Sequence, residues 1–164
     1  MNAAAYAFVR FTDVEHLLPG IEAVRSLPGV AAWQAVEGHY HLAVTLTQSD
    51  DALSQSLRDL PGVKNVLFCP VEDERRGGFT PDPEQCNAWL TMEIDAGSRD
   101  ALAAALLAME TPRVGALAFS GDCCVAAVTG PGFESIDAAV ERDIRPLDGV
   151  LRAKRDWIID LTQL

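Results

Sequence analysis

Two histidines separated by one residue, His39 and His41, carry the sharpest chemical signal in this 164-residue sequence. Side chains two apart on a strand leave the same face, as two ligands of one metal ion on one strand must. A second glycine-centred turn, Ser120-Gly121-Asp122-Cys123-Cys124, answers the first, Glu37-Gly38-His39-Tyr40-His41. With Gly38 and Gly121 aligned, His41 corresponds to Cys124 and His39 to Asp122. Two imidazoles, a thiolate and a carboxylate then stand at equivalent positions, a set suited to zinc or a similar transition metal. His39, His41 and Cys124 are the expected ligands, and a transition metal is the one cofactor candidate. The competing reading is two partly exposed turn histidines beside two small buried cysteines. Catalysis would need a base and an orienting partner in one pocket, for which His16, His39 and His41 with Glu37 or Asp122 are the candidates. No H-E-x-x-H, phosphate loop or G-x-G-x-x-G is present, so enzymatic activity stays open.

The elements that would position these residues follow from a pattern written twice. Ala5 to Phe11 is a short apolar strand, and Thr12-Asp13-Val14-Glu15 has the form of a capping box that starts a helix. Ile21, Val24 and Leu27 recur at helical spacing until Pro28-Gly29. Val30 to Val36 and Tyr40 to Leu46 read as strands of a hairpin turning on Gly38. Leu53, Leu57 and Leu60 then mark a helix behind Ser49 or Asp50, which Pro61-Gly62 ends before the strand Val63 to Val71. The second half repeats this order with a strand at Trp89 to Ile94 and a helix after Ser98. A hairpin of Val114 to Phe119 and Cys123 to Thr129 follows, then a helix over Phe133 to Ile144 and a strand over Val150 to Leu161.

The order β-α-β-β-α-β is that of a ferredoxin-like unit, an antiparallel sheet with both helices on one face. Runs such as Leu42-Ala43-Val44 and Cys124 to Val128 lack polar alternation, so the face away from the helices is expected to bury as well. The sequence therefore predicts an α+β chain of two ferredoxin-like repeats, residues 1–71 and 88–164, with a charged, Gly- and Pro-rich linker over 72–87. Their sheets are expected to pack face to face as a pseudo-dimer within one chain.

Composition limits the function. With 49% hydrophobic and 23% charged residues the chain reads as folded and soluble, and 24 acidic against 13 basic residues give a net charge of -11. That balance opposes binding to phosphate backbones. The short basic clusters are Arg75-Arg76 and Arg152 to Arg155, and the latter, followed by Asp156, reads as a solvated strand edge. No direct contact with nucleic acid is expected. The longest apolar run, Ala101 to Met109, is far short of the roughly 18 to 20 residues of a spanning helix, and the amino terminus does not read as a secretory signal. A cytoplasmic protein without membrane contact, its four cysteines Cys69, Cys86, Cys123 and Cys124 reduced, is the expectation.

Pro28-Gly29-Val30, the hairpin Val36 to His41 and Pro61-Gly62-Val63 resemble the effector-binding domain of Lrp/AsnC regulators, with Pro112-Arg113-Val114, Phe119 to Cys124 and Asp148-Gly149-Val150 at the matching places of the second half. ACT domains share the topology, but the D-x-x-G-like turn after the first strand is missing. The resemblance implies tandem effector domains of the dimeric α/β-barrel type without the helix-turn-helix domain that such regulators carry. It implies a small-molecule effector, typically an amino acid, bound near the hairpins, with Gly38, Tyr40, His41, Gly121, Cys123 and Cys124 inheriting that role. The acidic residue that ends the family signature is His41 in one half and Cys124 in the other. The implied partners are copies of the same chain or a separate regulator. Monooxygenases, isomerases and haem-dependent decarboxylases use the same sheet pairing and form the competing class.

Overall fold

The structure, a computed structural model, describes residues 3–76 and 84–159, arranged as two compact units, Met1–Val71 with Ile159–Leu164 and Glu72–Ile158. The first unit runs β1 (Ala5–Phe11), α1 (Leu17–Arg25), β2 (Val30–Glu37), β3 (Leu42–Leu46), α2 (Asp51–Arg58) and β4 (Val63–Pro70). Its antiparallel strands lie in the order β4-β1-β3-β2. Ala5, Ala7, Val9 and Phe11, spaced by two, turn one face of β1 towards Ile21 and Val24 of α1 and Leu53 and Leu57 of α2. Gly20 lets α1 approach this face, since a Cβ there would sit 2.3 Å from Cζ of the buried Phe11.

The caps differ between the helices. Asp50 accepts from the Leu53 backbone N–H at 2.8 Å, as its position before α2 predicts. The capping box expected at Thr12 does not form. Asp13 instead binds the His16 ring nitrogen at 2.7 Å, and a 3-10 turn over Val14–His16 leads into α1.

The second unit runs β5 (Asp73–Arg76), β6 (Cys86–Ile94), α3 (Arg99–Leu107), β7 (Arg113–Ser120), β8 (Cys123–Gly130), α4 (Phe133–Ala139) and β9 (Val150–Ile159). A π-helical turn over Val140–Ile144 continues α4. The strands of this unit lie in the order β9-β6-β8-β7-β5, again antiparallel. The stretch read as a linker contains β5, fixed to β7 by pairing and to α3 by Arg75, which binds Asp100 at 2.5 Å and, within β5, Asp73 at 3.0 Å. Residues 77–83 of that stretch and the last two of the strand expected to end at Leu161 lie outside the described residues.

Each sheet buries residues on both faces, as the missing polar alternation predicts, although Arg10, Gln34 and Asn65 on the first unit's outer face are exposed. Leu90, Met92, Phe119 and Cys124 face α3 and α4 in the core of the second unit. On the opposite face of the same sheet, Trp89, Thr91, Val125, Ala127, Thr129 and Asp156 are buried too. The first unit buries Tyr6, Phe8, Ala43 and Cys69 on the corresponding face.

Candidate functional site

The first hairpin is wider than its sequence predicts. Ala35 pairs with Leu42, and Gly38 to His41 form the loop between β2 and β3, so strand alternation does not govern His39 and His41. His39 is exposed. His41 closes the loop: its N–H donates to the Val9 carbonyl oxygen at 2.8 Å, and its own carbonyl oxygen accepts from Val36 at 2.9 Å. Its ring has a structural task as well. The register of β1 shifts between Arg10 and Phe11, and the Phe11 N–H donates to Nδ1 of His41 at 3.0 Å. That assigns the neutral tautomer with its proton on Nε2. Tyr40 is buried with its ring 5.6 Å from that of Phe8, and Gly38 takes φ 147.

The second hairpin is tight. Ser120 pairs with Cys123, and Gly121 at φ 56 followed by Asp122 at negative φ has the φ pattern of a II′ turn. Its tip is clamped: the Gly121 N–H donates to Glu72 at 2.9 Å, and Arg99 donates to the Gly121 carbonyl oxygen and to Glu72, both at 2.8 Å. The Arg99 hydrogen bond, then the Gly121 N–H, hold the Glu72 carboxyl below the ordinary glutamate range. Cys123 is half-buried on the face away from the helices, whereas Cys124 lies wholly in the helix-side core. Burial, and secondarily Cys123, push the Cys124 thiol up to about 12, which keeps it protonated and makes it a poor nucleophile or metal ligand. All four cysteines are free thiols. Among the described residues no three His, Cys, Asp or Glu side chains are grouped to hold a metal ion.

No histidine stands on the buried face of the second unit's sheet. His16 binds Asp13 in the open, and Glu37 and Asp122 are exposed, so the residues named as a base and its partner do not gather in a pocket. The polar groups that do gather were not singled out by their spacing. Asp156 on β9 stands directly opposite Trp89 on β6, and Lys154, the next residue on the same face of β9, stands opposite Thr91. Asp156 is 0% exposed and Thr91 is 4% exposed, and the Thr91 hydroxyl has no hydrogen-bond partner among the described residues. Thr129, opposite Asn87, donates to the Cys86 carbonyl oxygen at 3.3 Å. Paired side chains across the ladder leave the sheet about 5 Å apart, and same-face neighbours along a strand about 7 Å apart. A carboxylate, an ammonium, a hydroxyl and an indole therefore share one patch. Burying such groups costs free energy unless they are matched by partners of the right chemistry.

The reading of Arg152 to Arg155 with Asp156 as a solvated edge is thereby corrected. Only Leu151 and Arg152 of this stretch are exposed, Ala153 and Asp156 are buried, and Arg155 is drawn into a bond with Asp137 at 2.8 and 3.2 Å, with its guanidinium 4.2 Å from the Trp157 ring centre. An acidic residue inside an otherwise apolar and basic strand was the available signal.

No helix among the described residues is long and apolar enough to cross a membrane. No protein-family model and no curated protein matches the chain. Among solved structures it is similar to the siroheme decarboxylase NirDL, at 12% identity and a TM-score of 0.71 over 95% of this chain and 71% of that one. It is also similar to an anthrone oxidase-like protein, at 11% identity and a TM-score of 0.52 over 95% and 90% of the two chains. A third is a ferredoxin-fold protein related to antibiotic biosynthesis monooxygenases from Listeria monocytogenes, at 8% identity and a TM-score of 0.50 over 98% and 97%. The chain thus has the α+β, ferredoxin-like fold of dimeric α/β-barrel proteins.

Proposed function

We propose that this protein is a small-molecule effector-binding module of the kind that the Lrp/AsnC resemblance implies, acting as a homo-oligomer or with a separate regulator that contacts DNA. The observation that carries this reading is the buried polar patch on the second unit's sheet, away from its helices. Asp156 suits an ammonium group, Lys154 and the Thr91 hydroxyl suit a carboxylate, and Trp89 offers an apolar surface. An α-amino acid presents those groups together. The acidic partner missing from His41 and Cys124 is then supplied from β9. Cys123, one same-face step beyond Val125 on β8, borders the patch. In the first unit, Tyr40 against Phe8 marks the corresponding face.

Native mass spectrometry of the protein purified without chelator tests this reading. A retained or added amino acid, lost in Asp156→Asn, supports it. A chain that takes up none of the twenty at millimolar concentration contradicts it.

A second reading, an enzyme acting on a tetrapyrrole, is favoured by the fold likeness to the siroheme decarboxylase. Its fit to this chain is poor. A polycarboxylate macrocycle needs cationic lining, whereas the wholly buried charged residue among the described residues is Asp156, and Arg75, Arg99, Arg145 and Arg155 are each bonded to a carboxylate. A histidine ligand to iron would have to come from the exposed His39, from His16, which is bonded to Asp13, or from His41, whose Nδ1 is occupied by Phe11. Binding is therefore the favoured function.

A further inference from the structure

A groove of about 230 Å³ opens at the start of β9, lined by Arg145, Val150, Leu151, Arg152 and Ala153. Arg145 comes from the end of the π-helical turn. Its guanidinium is fixed by Glu141 and donates to the Ala153 carbonyl oxygen at 3.1 Å. Arg152 is different: its side chain has no hydrogen bond, ion pair or ring contact among the described residues. In a chain of net charge -11 that is unusual, and Arg75, Arg99, Arg142 and Arg155 of the same unit each have a carboxylate partner. The nearest acidic side chain across the ladder is the exposed Glu93, opposite Arg152. The half-buried Val150 and Leu151, which is 72% exposed, give the groove apolar lining.

We propose that this groove binds a small organic oxyanion, a carboxylate or phosphate monoester carrying a short apolar chain. Arg152 supplies the guanidinium fork, whose donors match two oxygens of one anion. Arg145, held in place by Glu141, which already matches its charge, supplies further N–H donors without further ordering. Val150 and Leu151 contact the chain. Arg152 stands one same-face step beyond Lys154 on β9, so the groove borders the Asp156 patch, but its lining includes none of Trp89, Thr91, Lys154 and Asp156.

The test is a titration of the full chain with inorganic phosphate and with n-butyl phosphate, followed by backbone amide NMR shifts against sodium chloride at equal ionic strength. Saturable shifts centred on Leu151, Arg152 and Ala153, weakened at least about tenfold by Arg152→Ala, are expected. Arg152→Lys should restore part of the affinity, and Arg25→Ala should leave it unchanged. Butyl phosphate should bind several-fold more tightly than phosphate through its buried methylenes. Shifts that chloride reproduces, or that persist in Arg152→Ala, overturn the site. Equal affinity for the two phosphates overturns the apolar contact.

Discussion

The backbone N–H of Phe11 donates to Nδ1 of His41 at 3.0 Å, whereas Ile94, at the equivalent register shift in the second repeat, donates to the Asp122 carbonyl oxygen at 2.7 Å. The two repeats solve the same problem differently. A shift in register leaves one N–H off the ladder, and an unsatisfied buried donor is costly. The tight second turn brings a backbone oxygen within reach, and in the wider first loop the imidazole takes its place. His41→Ala should therefore destabilise the fold by about 1 to 3 kcal/mol, measured by urea unfolding. An unchanged midpoint would show that His41 has no such task.

Gly62 makes a contact that no other residue permits. At φ 78, a Cβ there would sit 2.2 Å from Cγ of His16, and Gly149 at φ 93 stands in the same relation to Ser98, whose Cβ would be 2.5 Å away. The Thr12 and Asp95 N–H groups donate to these glycines' carbonyl oxygens, both at 2.8 Å. Gly62→Ala should cost about 2 kcal/mol or more from strain and clash together. Gly121→Ala, at φ 56 with open space around its Cβ, should cost about 1 kcal/mol. Thermal melts that reverse this order would contradict the packing.

Acid should loosen the clamp on the second hairpin. A carboxylate whose folded-state pKa lies below its unfolded value contributes stability above the unfolded value and loses it as the pH falls through the folded one. Glu72 is lowered from 4.5 by Arg99 and then by the Gly121 N–H. Glu72→Gln should be less stable than the parent at neutral pH, with the gap closing as the pH drops below 4.5. Urea midpoints taken across that range read the difference directly.

Thiol reactivity should follow burial. Cys69 and Cys124 are buried, and the Cys124 thiol titrates near 12, so both should resist alkylation in the native protein, while the half-buried Cys86 and Cys123 react first. Mass mapping after a short iodoacetamide pulse distinguishes them. Prompt labelling of Cys124 would contradict its place in the core.

The repeat was legible because its signals are local. Gly29, Gly62 and Gly149 all take positive φ at helix exits, and Asp50 caps α2 where the sequence places a cap. Loop width was not legible, because nothing in Gly38 to His41 says that β2 stops at Glu37 and β3 resumes only at Leu42. The exposure of His39 and the Phe11 bond to His41 follow from that width. Asp156 was missed for a different reason. Its neighbours Lys154 and Arg155 suggest a solvated edge, and only the register against Trp89 and the burial of both sheet faces reveal that it points inward.

The central claim is that Thr91 and Asp156 belong to a binding patch rather than to a structural core. Calorimetric titration of the amino acids into the parent, Thr91→Val and Asp156→Asn proteins, paired with unfolding curves of each without ligand, tests it most directly. The account predicts saturable binding by the parent and a loss of at least about tenfold in either variant. It also predicts that Thr91→Val, by removing a buried hydroxyl without a partner, is about 1 kcal/mol more stable than the parent when unliganded. Variants that bind as the parent does, or a Thr91→Val protein that is destabilised with no change in binding, would contradict it.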